Sequence, residues 1–143
     1  MKVGISATDK ILETSSDRNK TLRMVAYFLR IKSGLKSNMW RKSAFTIPEL
    51  KEAENVIYKY VQEKEFHDTI INVQNKRNLP KKNILNKFTP FIDQNDKLLR
   101  VRGRNKNINV PYQSKHPIIL PNKTYITELI VRNTHRILGH MGR

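Results

Sequence analysis

Leu22, Val25, Ala26 and Leu29 recur near helical spacing behind the polar run Ser15-Ser16-Asp17, with Ile31 beyond them, and predict a helix over 17–32. Gly34 is expected to stop it. Met24, Tyr27 and Phe28 widen its apolar surface past one stripe. Such a helix asks for burial on more than one side, and the chain offers few partners.

Thr46-Ile47-Pro48-Glu49 has the form of a capping box with proline in the first turn. Leu50, Ala53, Ile57, Tyr60 and Val61 follow at spacings of 3, 4, 3 and 1, predicting a helix from about 47 to 65. Glu49, Glu52 and Glu54 suit its positive N-terminal end. Residues 74–96, rich in Asn, Lys and Pro, read as a basic linker of turn chemistry. Asp93 and Asp96 flank Asn95 there and read as turn formers.

Beyond it, Leu98-Leu99-Arg100-Val101, broken by Arg102-Gly103-Arg104, then Ile108, Val110 and His116-Pro117-Ile118-Ile119-Leu120-Pro121 read as short strands. Asn122 or Thr124 is placed to cap a last helix carrying Ile126, Leu129, Ile130 and Ile137 on one face. The expectation is an α+β fold: a mostly helical N-terminal part, a small antiparallel sheet near 97–121 and a terminal amphipathic helix. The segments are 1–42, a connector helix; 43–73, a capped amphipathic helix; 74–96, a basic linker; and 97–143.

Charge sharpens this picture. The 143 residues hold 28 Lys and Arg against 12 Asp and Glu, a net charge of +16. Residues 17–42 carry eight basic groups against Asp17 alone, and 74–106 carry ten against Asp93 and Asp96. The acidic 43–73 block lies between them. Such an excess attracts polyanions and speeds encounter with them, and nucleic acid is the usual one. A solvated basic surface without a dedicated ligand is the plain alternative. Aromatic residues are sparse in both basic stretches, which argues against a stacking platform for single strands.

Cysteine is absent, so disulfides, iron–sulfur clusters, thiol catalysis and zinc sites completed by this chain's thiolates are excluded. No apolar run approaches the roughly 18–20 residues of a membrane span, and Met1–Lys10 lacks a secretory signal's apolar block. A soluble, intracellular protein with no membrane partner is expected. No G-x-S-x-G and no phosphate-cradling glycine loop occur. The carboxylates of 49–65 alternate with lysines as a solvated face.

Of four histidines, His67 stands alone and reads as a surface residue, and His116 as a polar strand terminus. His135 and His140 are five residues apart at the end of the last helix, the spacing of the histidine half of a zinc site, with Gly139 letting the backbone turn between them. The bare pair is a weak signal.

Lys97-Leu98-Leu99-Arg100-Val101-Arg102-Gly103-Arg104, then Val110-Pro111-Tyr112 and Lys115 to Pro121, resemble the segment ahead of the integrase zinc-binding domain in Bel/Pao-type LTR retrotransposon polyproteins. Leu129-Ile130-Val131 to His140 resembles the start of that domain's His-His-Cys-Cys motif. Phe45 to Glu54 with Val61-Gln62 resembles the helix between the reverse transcriptase–RNase H part and integrase, and Ser15-Ser16 with Leu22 to Arg30 the helix before it. The blocks cover about 11–143 in one order.

The resemblance implies that 97–143 is a truncated N-terminal part of the zinc-binding domain, with His135 and His140 matching its histidine ligands. The cysteine ligands and the three metal-binding carboxylates would lie downstream. Zinc therefore belongs to the full-length relative, and no tight zinc binding by this chain is expected; its last helix should be poorly held. The function implied is non-enzymatic: nucleic-acid contact, to DNA or RNA, within an integration apparatus, in the nucleus or a virus-like particle, with the rest of the polyprotein as partner. Arg100, Arg102, Arg104, Arg132 and Arg136 are the expected phosphate contacts, by charge and clustering. Two alternatives remain: a stand-alone interaction protein binding a partner through its acidic helix, with the wide apolar face of 17–32 as motive, and a degenerate gene fragment without function.

Overall fold

The computed structural model describes residues 7–37, 43–103 and 109–139. The fold is α+β. Its elements are α1 (Ala7–Thr14), α2 (Arg18–Ser37), α3 (Ile47–Glu65), α4 (His67–Gln74), a 3-10 turn (Ile84–Phe88), β1 (Pro90–Ile92), β2 (Leu99–Val101), α5 (Tyr112–Lys115) and α6 (Tyr125–Gly139). They group into two compact units, Met1–Ile57 with Asn122–Arg143, and Tyr58–Pro121. This division cuts through the 97–143 segment expected above, because α6 packs on α1 and α2.

In the first unit, Leu12, Ala26, Ala53, Ile57, Ile126 and Leu129 form the buried apolar core. Asp17 starts α2: its carboxylate accepts from the Asn19 amide at 2.9 Å and its carbonyl from the Thr21 amide at 3.1 Å. The helix does not stop at Gly34. It runs to Ser37, and Gly34 is buried within it. With no side chain it needs no room there, and three more residues of propagation outweigh the modest cost of an interior glycine.

The capping box of α3 forms as its spacing predicts. The Glu49 carboxylate accepts from the Thr46 amide at 2.7 Å, and the Glu49 amide donates to the Thr46 hydroxyl at 3.4 Å. Thr124 caps α6, accepting from the Thr127 amide at 3.4 Å. Ile126 and Leu129 of α6 are buried, but Ile137 is 58% exposed, so the apolar face predicted for this helix is covered only in its first half.

In the second unit, Tyr58, Val61, Leu98, Leu99 and Ile119 are buried. The sheet is an antiparallel pair, Pro90 opposite Val101 and Ile92 opposite Leu99. It begins within the stretch expected to be linker, which also holds the end of α4 and the 3-10 turn. Residues 117–119 add no full strand. Ile118 makes one isolated bridge to Arg100, the Val101 amide donates to the Pro117 carbonyl at 3.0 Å, and the Ile119 amide to the Leu99 carbonyl at 3.1 Å. Proline at 117 and 121 brackets a segment too short to continue the ladder. The Asp93–Leu98 connection is built by its aspartates: Asp93 accepts from the Asn95 amide at 2.9 Å and Asp96 from the Leu98 amide at 3.0 Å. Their turn roles are thus met.

Candidate nucleic-acid interface

The five arginines expected to meet phosphate fall into three situations. Arg100 is 4% exposed and turned inward, so it is withdrawn from the contact set. Its Nη2 donates to Asp96 at 2.5 Å, its Nη1 to the His116 carbonyl at 2.7 Å, and its Nε lies 3.3 Å from Asp93. Arg100 opposes Phe91 in the ladder, and the two aspartates of the preceding turn supply the counter-charge that a buried guanidinium requires. Arg104, like His140, lies outside the described residues.

Arg102 is exposed, with its guanidinium 5.6 Å from the Phe91 ring centroid. That stacking orders the side chain and leaves its outer edge to solvent. Arg132 and Arg136 are also exposed, one turn apart on α6. Arg136 donates to the Asn133 side chain at 2.9 Å. Neither has an acidic partner among the described residues. Together with Ser16, Asp17, Arg18 and Leu129 they line a shallow cavity of about 80 Å³. Asp17 is the one acid in that lining, and its carboxylate is engaged as the α2 cap. Arg18 is paired to Glu54.

Three other acids, Glu49, Asp93 and Asp96, are held by arginines. Arg30 grips Glu49 through two bonds, at 2.9 and 2.7 Å, and also donates to the Ser43 and Ala44 carbonyls. This clamp and the Thr46 amide lower the Glu49 carboxyl to about 2. Asp93 is held below its usual value first by the Asn95 amide and then by Tyr112 and Arg100, against the opposing effect of burial. Tyr112 is raised by partial desolvation and by the Asp93 carboxylate it bonds. The Arg30 clamp borders a cavity of about 500 Å³ between α2 and α3, which also meets Lys32, Lys36 and Glu52.

His67 opens α4 and is exposed. His116 is half-buried. It follows α5 rather than opening a strand, and packs between Phe91 and Tyr112 at 5.2 and 4.8 Å. His135 is exposed on α6. Among the described residues no three His, Cys, Asp or Glu converge as metal ligands. With no cysteine in the chain, His135 and His140 supply at most two of the four ligands of the zinc site that the resemblance implies.

Sequence reasoning missed two residues that organise this surface. Arg18 and Arg30 each read as one cation among many, yet both cross to α3 to meet Glu54 and Glu49. The available signal was that α3 places these acids in its first turns while α2 has no acid of its own. No helix among the described residues is long and apolar enough to cross a membrane. No protein-family model matches this chain, and neither a curated protein nor a solved structure shows significant similarity to it.

Proposed function

We propose that this chain is a non-enzymatic piece of a retrotransposon polyprotein that contributes phosphate-backbone contact to DNA integration. The observation that carries the nucleic-acid part is the pair of unneutralised guanidinium groups, Arg132 and Arg136, exposed one turn apart on α6 in a chain of net charge +16. Spaced in this way, they can meet successive phosphates, a contact that positions without reading sequence. Arg102 in the other unit offers a second such contact. The polyprotein part rests on the ordered sequence blocks. The non-enzymatic part rests on how the carboxylates are used: Glu49, Glu54, Asp93 and Asp96 are each tied to an arginine.

The test is duplex DNA binding by fluorescence anisotropy across a salt series. Binding should weaken steeply with salt through counterion release. Arg132→Ala with Arg136→Ala should flatten the slope of log K against log salt by about 2. A slope unchanged by the pair sinks the assignment. For the polyprotein reading, zinc should not raise the melting temperature, and His135→Ala with His140→Ala should melt like the parent; a zinc-dependent rise overturns that reading.

A further inference from the structure

Helix α2 has a second apolar surface outside the buried core. Met24, Tyr27, Phe28, Ile31 and Leu35 fall within about 100° of its circumference at 3.6 residues per turn. Tyr27, Phe28 and Leu35 are 58%, 51% and 72% exposed, while Met24 and Ile31 are half-buried. Met24, Phe28, Ile31 and Leu35 follow the four-three-four spacing of a coiled-coil seam. A contiguous apolar strip of this kind marks an interaction surface.

The charges beside the strip choose its occupant. All six ionisable residues of α2 that carry charge are basic, and the helix has no Asp or Glu. Arg23 borders the strip on one side and Lys32 on the other, and Lys20 stands at its N-terminal end; all three are exposed. A second copy of α2 would set cations against cations. The opposite arrangement, an apolar seam flanked by Glu or Asp, satisfies both the strip and its borders. We propose that α2 docks an acidic amphipathic helix of a partner protein along Met24–Leu35. The strip is one helix wide, which suits a helix seam better than a lipid surface, where a broader apolar face is buried.

The probe is a labelled synthetic peptide of about three heptads with Leu at a and d and Glu at e and g, titrated with the full chain. Binding should fall about tenfold in Phe28→Ser with Leu35→Ser, as when buried anchors are truncated. Both residues are exposed, so circular dichroism should show the fold unchanged. A scrambled peptide of the same composition should bind about tenfold more weakly than the heptad peptide. Arg23→Glu with Lys32→Glu should reverse the preference, favouring a peptide with Lys at e and g. Equal binding of the scrambled peptide would show charge attraction alone and overturn the proposal. So would sedimentation with phosphatidylserine vesicles that depends on Phe28 and Leu35 while peptide binding does not. Self-association abolished by Leu35→Ser would likewise assign the strip to a second copy.

Discussion

The Gln62 side chain serves Leu99 as a neighbouring strand would. Its Oε1 accepts from the Leu99 amide at 2.8 Å, and its Nε2 donates to the Leu99 carbonyl at 2.9 Å and to the Ile119 carbonyl at 2.7 Å. Gln62 is 1% exposed. The 117–119 segment bonds the outer edge of β2 through the Val101 amide and the Leu99 carbonyl, which leaves the Leu99 amide in need of an acceptor, and one carboxamide on α3 supplies it while donating to the Ile119 carbonyl. Gln62→Leu keeps the bulk but orphans the Leu99 amide. It should cost about 2–6 kcal/mol, since a buried unsatisfied backbone group costs about 1–3 kcal/mol and two groups, the Leu99 amide and the Ile119 carbonyl, are affected. Gln62→Glu makes the same point through pH. Its carboxylate would face two carbonyl oxygens, so its pKa should rise above the unfolded value near 4.3, and stability should fall as pH rises through the raised value. Urea unfolding of both variants across pH checks this; a Gln62→Leu variant as stable as the parent refutes the brace.

How far the fold is legible in the sequence depends on which force sets each element. The α3 boundaries are local, fixed by a capping box and an apolar period, and the prediction of about 47–65 meets Ile47–Glu65. Asp17 and Thr124 likewise announce α2 and α6. Where tertiary context decides, sequence patterns fall short. Gly34 loses its stop signal because it is buried against its surroundings. The β1 strand has only three residues and an opening proline, too little for a period of 2 to show. α4 carries few local signals, with no side-chain cap at Phe66. Of the site, the exposure of Arg132 was legible from helical phase, because Ile126 and Leu129 define the buried face, whereas Arg136, seven residues after Leu129 on that same face, is exposed because the second half of α6 is left uncovered. The fate of Arg100 was not. Its flanking apolar residues mark a strand, but only the fold of the 93–98 turn brings two carboxylates onto its guanidinium.

Glu49 gives the fold a pH dependence with a definite sign. A carboxyl lowered to about 2 in the folded state, against about 4.3 unfolded, stabilises the protein at pH above the unfolded value. That contribution drains away as pH falls toward the folded one. Glu49→Gln removes the Arg30 ion pair at all pH. The unfolding midpoints of parent and variant should therefore differ above about pH 5 and converge near pH 2. Parallel curves over that range would show that the Arg30 clamp is not coupled to folding.

Gly103 is required by close backbone approach rather than by a left-handed conformation. A Cβ there would collide with the carbonyl oxygen of Lys115, which is main chain and cannot swing aside. Gly103→Ala should push the end of β2 away from α5 and cost about 1–3 kcal/mol, as overpacking does. A melting temperature within error of the parent would show that the contact is loose enough to give.

Lys76 offers the opposite sign. It follows α4 at φ 53°, in a Schellman arrangement: the Arg77 amide donates to the Asn72 carbonyl at 2.8 Å and the Lys76 amide to the Val73 carbonyl at 3.2 Å. Glycine normally fills that position because a side chain is strained there. Lys76→Gly should therefore stabilise the fold by about 1 kcal/mol, the relief of left-handed strain outweighing the added freedom of the unfolded chain. A loss of stability in urea unfolding would refute that balance.

Arg100 and Arg132 separate folding from binding. Removing Arg100 leaves Asp93, itself 5% exposed, as a buried carboxylate without its cation. Arg100→Ala should cost about 3–5 kcal/mol, the range for breaking one side of a buried pair, and at a temperature where the variant is still folded its DNA salt slope should match the parent's. Arg132→Ala should do the reverse: unfolding stability within about 0.5 kcal/mol of the parent, as for an exposed side chain, and a salt slope smaller by about 1. The two measurements, urea unfolding and anisotropy over a salt series, read different properties of the same variants. If Arg100→Ala flattens the salt slope while the fold persists, its guanidinium reaches phosphate despite its aspartates. If Arg132→Ala leaves the slope untouched, α6 is not the contacting helix.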